Sequence, residues 1–264
     1  MMGGVTYHGE GNIMQDSTFI DEPVPETSAD WINRGHHLQQ KGQYTDALSA
    51  YEQAILANPQ EASAYEHLAS TFNTLGMYEF ALASYQRALE LNPTSLLLHF
   101  YKGEVLEHLY RYEEALSAYE QAIALAPQDA ALYAIRANVL TQLQREQEAL
   151  VAYAQALQLC PDFADVYNNL GLLLAHMQHD EQAIRAFQRA IELEPDEVLF
   201  YRNLSALLES LERWQEAVQV QLRAEALGLQ WREETPNTEG HRIRWENLPT
   251  VHYPMPAILK GLQE

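Results

Sequence analysis

An all-α solenoid of about six two-helix units is the fold class that this chain predicts, and three observations carry the prediction. Pro59, Pro93, Pro127, Pro161 and Pro195 recur at a constant step of 34 residues. Around them, Gly42 to Pro59, Gly76 to Pro93, Tyr110 to Pro127, Gln144 to Pro161 and Gln178 to Pro195 align without a gap. Within each such unit the apolar and small residues step by three and four, as one face of a helix requires. Self-similarity at this period marks an array of supersecondary units that bury their apolar faces only against their neighbours.

Six units follow from the register: 28–61, 62–95, 96–129, 130–163, 164–197 and 198–228. Positions are numbered from the first residue of each unit. The first half of a unit carries a flat side chain at position 4 (Trp31, Tyr65, His99, Tyr133, Tyr167, Tyr201) and a small residue at position 8 (Gly35, Ala69, Gly103, Ala137, Gly171, Ser205). Position 11 is apolar (Leu38, Phe72, Leu106, Leu140, Leu174, Leu208). The second half has alanine at positions 20 and 27, such as Ala81 and Ala88, with a ring between them at position 24 (Tyr51, Tyr85, Tyr119, Tyr153, Phe187). Small residues on both halves let two helix backbones approach, and the ring fills the remaining space, so each unit reads as an antiparallel helix pair. The position 32 proline lacks an N–H and clashes with the preceding turn, which ends the second helix. Ser28 or Asp30 is the expected N-cap of the first helix. In the sixth unit Gln221 replaces the ring and Leu229 the proline, while Gly228 offers a helix stop. A terminal unit with a wetter outer face is the expectation there.

This combination resembles the tetratricopeptide repeat (TPR) family over about 200 of the 264 residues. The resemblance implies a right-handed superhelix whose first helices line a concave groove that binds peptides or other proteins. On the first helices, positions 2, 5, 6, 9, 12 and 13 are expected to look away from the buried face and, by the resemblance, into the groove. There stand His36 in the first unit, His67 in the second, Phe100 and Tyr101 in the third and Asn138 in the fourth, followed by Asn168 and Asn169, then Arg202 and Asn203. Asn138 and Asn169 resemble the asparagine pair with which peptide-binding members hold a ligand's main chain; solvated amides on a wet helix face are the alternative reading. Phe100 and Tyr101 read either as an anchor for a partner or as packing between units. His36 and His67 fall on adjacent units as neighbours, with too few further ligands for a metal, so groove polarity or a pH response is expected. Members that clamp the carboxylate tail of heat-shock chaperones place cations where this chain has Ala134, Leu199 and Asn203. An EEVD-type acidic tail is therefore not expected as a ligand.

Composition narrows the partner further. With 37 acidic against 16 basic residues the net charge is −21, which repels nucleic-acid phosphates and anionic membranes. The longest apolar run, Leu170 to Ala175, is too short to cross a bilayer, and the N-terminus lacks a basic-then-apolar signal. The lone Cys160 reads as a half-buried thiol. No Walker A, dinucleotide loop, G-x-S-x-G or HExxH occurs, so neither catalysis nor a cofactor is expected. A non-enzymatic, cytoplasmic scaffold or adaptor binding another protein is the function these features imply. Flanking the array, residues 1–27 form an acidic arm expected to be disordered. Residues 229–264 form a proline- and aromatic-containing tail with four basic and five acidic side chains. That tail supports an alternative, an assembly or regulatory factor whose tail docks on a partner, fills its own groove or caps the last unit.

Overall fold

The structure, a computed structural model, describes residues 27–228, all of them in helices and tight turns. The arm before residue 27 and the tail after residue 228, with the expectations attached to them, lie outside the described residues. Twelve α-helices follow in pairs: α1 (Ser28–Gln40) with α2 (Tyr44–Ala57), α3 (Ala62–Thr74) with α4 (Tyr78–Leu91), and α5 (Leu96–His108) with α6 (Tyr112–Leu125). Then come α7 (Ala130–Gln142) with α8 (Glu146–Leu159), α9 (Ala164–His176) with α10 (Asp180–Leu193), and α11 (Val198–Ser210) with α12 (Trp214–Ala226). Each helix packs on the next in the chain. In addition α1 touches α3, α7 touches α9 and α9 touches α11, a contact between first helices that the second helices do not match. First helices therefore sit on the inner side of the array's curve. The result is an all-α superhelical repeat fold.

The pairing rests on the small residue at position 8 and the ring at position 24. A Cβ built on Gly35 would lie 2.4 Å from Tyr51 Cε1, one on Gly103 2.6 Å from Tyr119 Cε1, and one on Gly171 2.7 Å from Phe187 Cε1. The ring thus occupies the space that a side chain would need, and Tyr51, Tyr85, Tyr119 and Phe187 are almost wholly buried with the alanines at positions 20 and 27. Burial of an aromatic of this size stabilises the pair by roughly 1.5–3 kcal/mol.

Two turns close each unit. Between the helices, position 15 is left-handed in all six units: Gly42, Gly76, Tyr110, Gln144, Gln178 and Glu212 have φ between 57° and 75°. Glycine supplies this without strain only in the first two units. The turn is held by the position 16 N–H bonding back to the position 11 carbonyl, as in Gln43 to Leu38 and Arg213 to Leu208, both 2.9 Å. At the other end, in units two to four, the position 4 side chain reaches back over the proline turn: the hydroxyl of Tyr133 donates to the Pro127 carbonyl (3.1 Å) and His99 Nε2 to that of Pro93 (3.0 Å). The first helix begins differently from the expected N-cap at Ser28 or Asp30. Thr27 is the cap, its Oγ1 accepting from the Asp30 N–H while the Asp30 carboxylate accepts from the Thr27 N–H. A reciprocal capping box uses both residues, with threonine in the cap and the acid three residues on.

Neighbouring units are stitched by arginine at position 16. Arg145 bonds Glu148 of its own unit (2.7 Å) and reaches Glu113 of the preceding unit (3.3 Å). Arg213 does the same with Glu216 and Glu181, both at 2.7 Å, and Arg111 with Glu114 and, more distantly, Glu79. Where position 18 is not acidic, at Thr45 and Gln147, position 16 of the next unit is Met77 or His179. The pairs lie at the surface, so their contribution is alignment more than stability.

The two ends of the array differ. Positions 3 and 10 of the inner units face the preceding unit and are buried, as Leu98 and Val105, Leu132 and Val139, Val166 and Leu173 show. In the first unit the same positions hold Asp30 and His37, both exposed, so the array starts on a finished polar surface. The last helix, α12, leaves Trp214, Val218 and Leu222 exposed. Among the described residues no helix is long and apolar enough to cross a membrane.

Overpacking the tight contact tests the register. Ala115 is fully buried at position 20 of α6, whereas Ala124 on the same helix is exposed. Ala115→Leu is expected to destabilise the protein by about 1–3 kcal/mol, and Ala124→Leu by no more than about 0.5 kcal/mol, in urea unfolding followed by circular dichroism. Equal midpoints for the two variants would refute the assigned packing.

Candidate functional site

The first helices of units four to six bring four asparagines into one chain of hydrogen bonds. Asn203 Nδ2 on α11 donates to Asn168 Oδ1 on α9 (2.7 Å), and Asn168 Nδ2 donates to Asn169 Oδ1 (3.1 Å). Asn169 Nδ2 then donates to Asn138 Oδ1 on α7 (3.2 Å), where the Tyr153 hydroxyl also donates (2.5 Å). All four amide dipoles point the same way along this ladder, so each bond polarises the next. Asn168, Asn169 and Asn203 are 0 %, 2 % and 1 % exposed, while Asn138 stays partly exposed at the inner surface.

This placement corrects the expectation that positions 5 and 6 look away from the buried face. Because α9 touches both α7 and α11, these positions lie in the seam between the first helices of units four to six. Phe100, also at position 5, is buried with its ring edge-on to Tyr101 (centroids 5.5 Å apart) and 6.0 Å from the ring of Tyr119. It packs against the second helix of its own unit and is not an exposed anchor. Tyr101 is half-buried and stacks on Tyr85 (5.9 Å). Arg202 lies half-buried on α11, one residue before the ladder's Asn203.

Position 8 decides where the ring hydroxyl goes. With glycine there, Tyr51 donates to Gln39 Oε1 (3.0 Å) and Tyr119 to Glu107 Oε1 (2.5 Å), both at position 12. With Ala69 and Ala137 the ring is engaged at position 9, Tyr85 by Ser70 and Tyr153 by Asn138. Ala137 thereby aims a buried hydroxyl at the ladder's outer end. Burial raises the pKa of Tyr153, so it remains a neutral donor. The sixth unit, lacking a ring, is closed by polar groups instead: Gln221 Nε2 donates to Ser205 Oγ (3.0 Å) and Glu209 Oε1 (2.9 Å).

At the other end of the array His36 and His67 meet as expected, ring centroids 4.1 Å apart and perpendicular, with Tyr51 stacked on His67 at 5.6 Å. Burial, and then the neighbouring His36, lower the pKa of His67 to about 4; burial lowers that of His36 as well. Burial also raises the carboxyl pKa of Glu66 and Glu107, and that of Asp165 to about 6, where Glu194 and Glu197 add to the effect. Among the described residues no three His, Cys, Asp or Glu side chains are grouped so as to hold a metal ion.

The histidine pair makes a signed prediction. The unfolded chain protonates His67 near 6.5 and the folded chain only near about 4, so its neutral burial leaves stability intact above pH 6.5 and erodes it as the pH falls towards 4. Urea unfolding of the parent and of His67→Gln should show the parent losing stability relative to the variant across that window. A difference independent of pH would contradict the burial of a neutral His67.

Family models place these repeats among known ones. Tetratricopeptide repeat models match residues 32–96, 75–130 and 164–197, and a TPR repeat model matches 137–178. Among solved structures, MamA from Desulfovibrio magneticus RS-1 is 21% identical with a TM-score of 0.61, over 66% of this chain and 98% of that one. A tetratricopeptide repeat protein from Parabacteroides merdae ATCC 43184 is 18% identical with a TM-score of 0.67, over 75% of this chain and 79% of that one. YrrB, whose structure is described as that of a TPR protein with an unusual peptide-binding site, is 24% identical with a TM-score of 0.59, over 66% of this chain and 90% of that one. At these identities the likeness is one of fold. No curated protein matches the chain. With the repeat models spanning most of the array and the helix pairs packed as described, the chain belongs to the tetratricopeptide repeat family.

Proposed function

We propose that the chain is a non-enzymatic scaffold or adaptor that holds a segment of another protein along its first helices, with the contact centred on units four to six. Proteins of this family generally mediate protein–protein interactions. The observation that carries the specific reading is the asparagine ladder. Each of its three inner amides donates to the next residue along the ladder, and its outer residue, Asn138, uses its oxygen for Tyr153 and Asn169. The Asn138 Nδ2 has no acceptor among the described residues, and it belongs to a side chain that the buried ladder and the tyrosine hold in place. A donor fixed in this way suits a main-chain carbonyl, which every peptide offers whatever its sequence. Little rotamer freedom remains to be lost on binding. The half-buried Arg202 and Tyr101 flank this stretch and supply side-chain selectivity. The wholly buried Phe100, Asn168, Asn169 and Asn203 act by positioning.

Ala134, Leu199 and Asn203 leave no cations in the places where a chaperone tail's carboxylates would need them. The acidic surface favours a neutral or basic segment.

Selection of a random-peptide display library on the full chain, followed by calorimetry, tests this reading. Asn138→Leu should weaken a selected peptide by about 3–10-fold, the worth of one hydrogen bond. Arg87→Ala, on the second helix of unit two, should leave affinity unchanged, and a peptide ending in EEVD should show no micromolar binding. Equal affinities for the parent and Asn138→Leu would reject the site.

A further inference from the structure

The last helix ends the array on an uncovered apolar face. In units two and four the residue at position 17 is met by position 13 of the following unit: Tyr78 stacks on His108 (centroids 4.6 Å apart) and the Glu146 carboxylate meets His176 Nδ1 at 3.0 Å. Position 21 is likewise covered, as the buried Leu82, Leu116 and Ile184 show. In unit six the same positions are Trp214 and Val218, and Leu222 extends the stripe by one more turn; they are 59 %, 51 % and 57 % exposed. Residues spaced by four lie on one helix face, so the stripe is continuous.

Four features select its occupant. Another in-register repeat does not fit, because a unit starting at Arg232 would put Pro236 inside its first helix and Glu239 at the small position 8. The arginine stitch also stops here, since position 18 is the neutral Gln215. A head-to-tail copy does not fit either, because the first unit presents Asp30, Arg34 and His37, all exposed, where an apolar surface would be needed. A tail-to-tail copy would bring together two chains of net charge −21. The remaining occupant is joined to the face itself. Residues 229–264 begin directly after the stop at Gly228 and carry Ile243, Trp245, Leu248, Val251, Tyr253 and Met255 with nearly balanced charge. Tethering raises their local concentration well above that of any second chain.

We infer that residues 243–259 of the same chain lie on the Trp214–Val218–Leu222 stripe of α12 and close the solenoid, in place of a further repeat. The tail then serves as a stopper, and the inner surface stays open to a partner. This inference does not depend on the proposed peptide site, which lies on the first helices.

Two measurements on the full chain test it. In a Cys160→Ser background, Val218→Cys is labelled with benzophenone maleimide and irradiated. A monomer-sized product joined to a peptide within 243–259 supports the inference. A dimer-sized product, or linkage only to residues up to 228, overturns it. Separately, hydrogen exchange of α12 amides in the parent should be the same at low and high micromolar protein and about tenfold faster in the double variant Trp245→Ser, Val251→Ser. Exchange that depends on concentration, or that the double variant leaves unchanged, contradicts the inference.

Discussion

Each of the first five units depends on one close approach, in which the ring at position 24 lies against the backbone of the first helix where position 8 has little or no side chain. At Gly35, Gly103 and Gly171 an added methyl would fall inside the ring's van der Waals surface. The spacing of the two helices in a pair is set by this contact, and the alanines at positions 20 and 27 keep the rest of the interface equally thin. A pair of fixed thickness, repeated every 34 residues and turned by the same left-handed residue at position 15, has to stack as a superhelix.

The same contact reaches into the candidate site. Alanine at position 8 of unit four, instead of glycine, is associated with a Tyr153 hydroxyl that meets Asn138 at position 9, whereas glycine in units one and three accompanies a hydroxyl at position 12. Tyr153 then holds one end of a buried chain of amides that runs through Asn169 and Asn168 to Asn203. Every buried amide of the ladder donates to the next residue, with the Asn203 oxygen left unpaired among the described residues at the far end, and this pairing joins α7, α9 and α11 along their seam. Only at Asn138 does the ladder come to the inner surface. The packing of a unit therefore determines which donor its neighbours leave at the inner surface.

Much of this was legible in the residues. The period of 34, the pairing of small residues with rings and the proline stops follow from side-chain volume and backbone chemistry that act within one unit. What lay beyond reading were contacts made between units. Asn168 and Asn203 look like solvated polar side chains until α9 and α11 are placed side by side. A signal was present, in asparagines recurring one unit apart at position 6, Asn169 and Asn203, with Asn138 and Asn168 close to the same step. The stitch was legible too, because acid at position 18 and arginine at position 16 of the next unit occur together at Glu79 and Arg111, Glu113 and Arg145, Glu181 and Arg213. By contrast, nothing in Tyr110, Gln144, Gln178 or Glu212 announces a positive φ; the turn imposes it because its hydrogen bonds outweigh the local strain.

At the proposed site, recognition would be transmitted through the ladder, and side-chain amide NMR addresses this directly. In the 15N-labelled full chain, the amide resonances of Asn138, Asn168, Asn169 and Asn203 can be followed while a selected peptide is added. All four are expected to shift together, the buried three included, because a carbonyl received at Asn138 repolarises every bond behind it. Peptide binding that leaves these four resonances in place would contradict it and locate recognition elsewhere on the array.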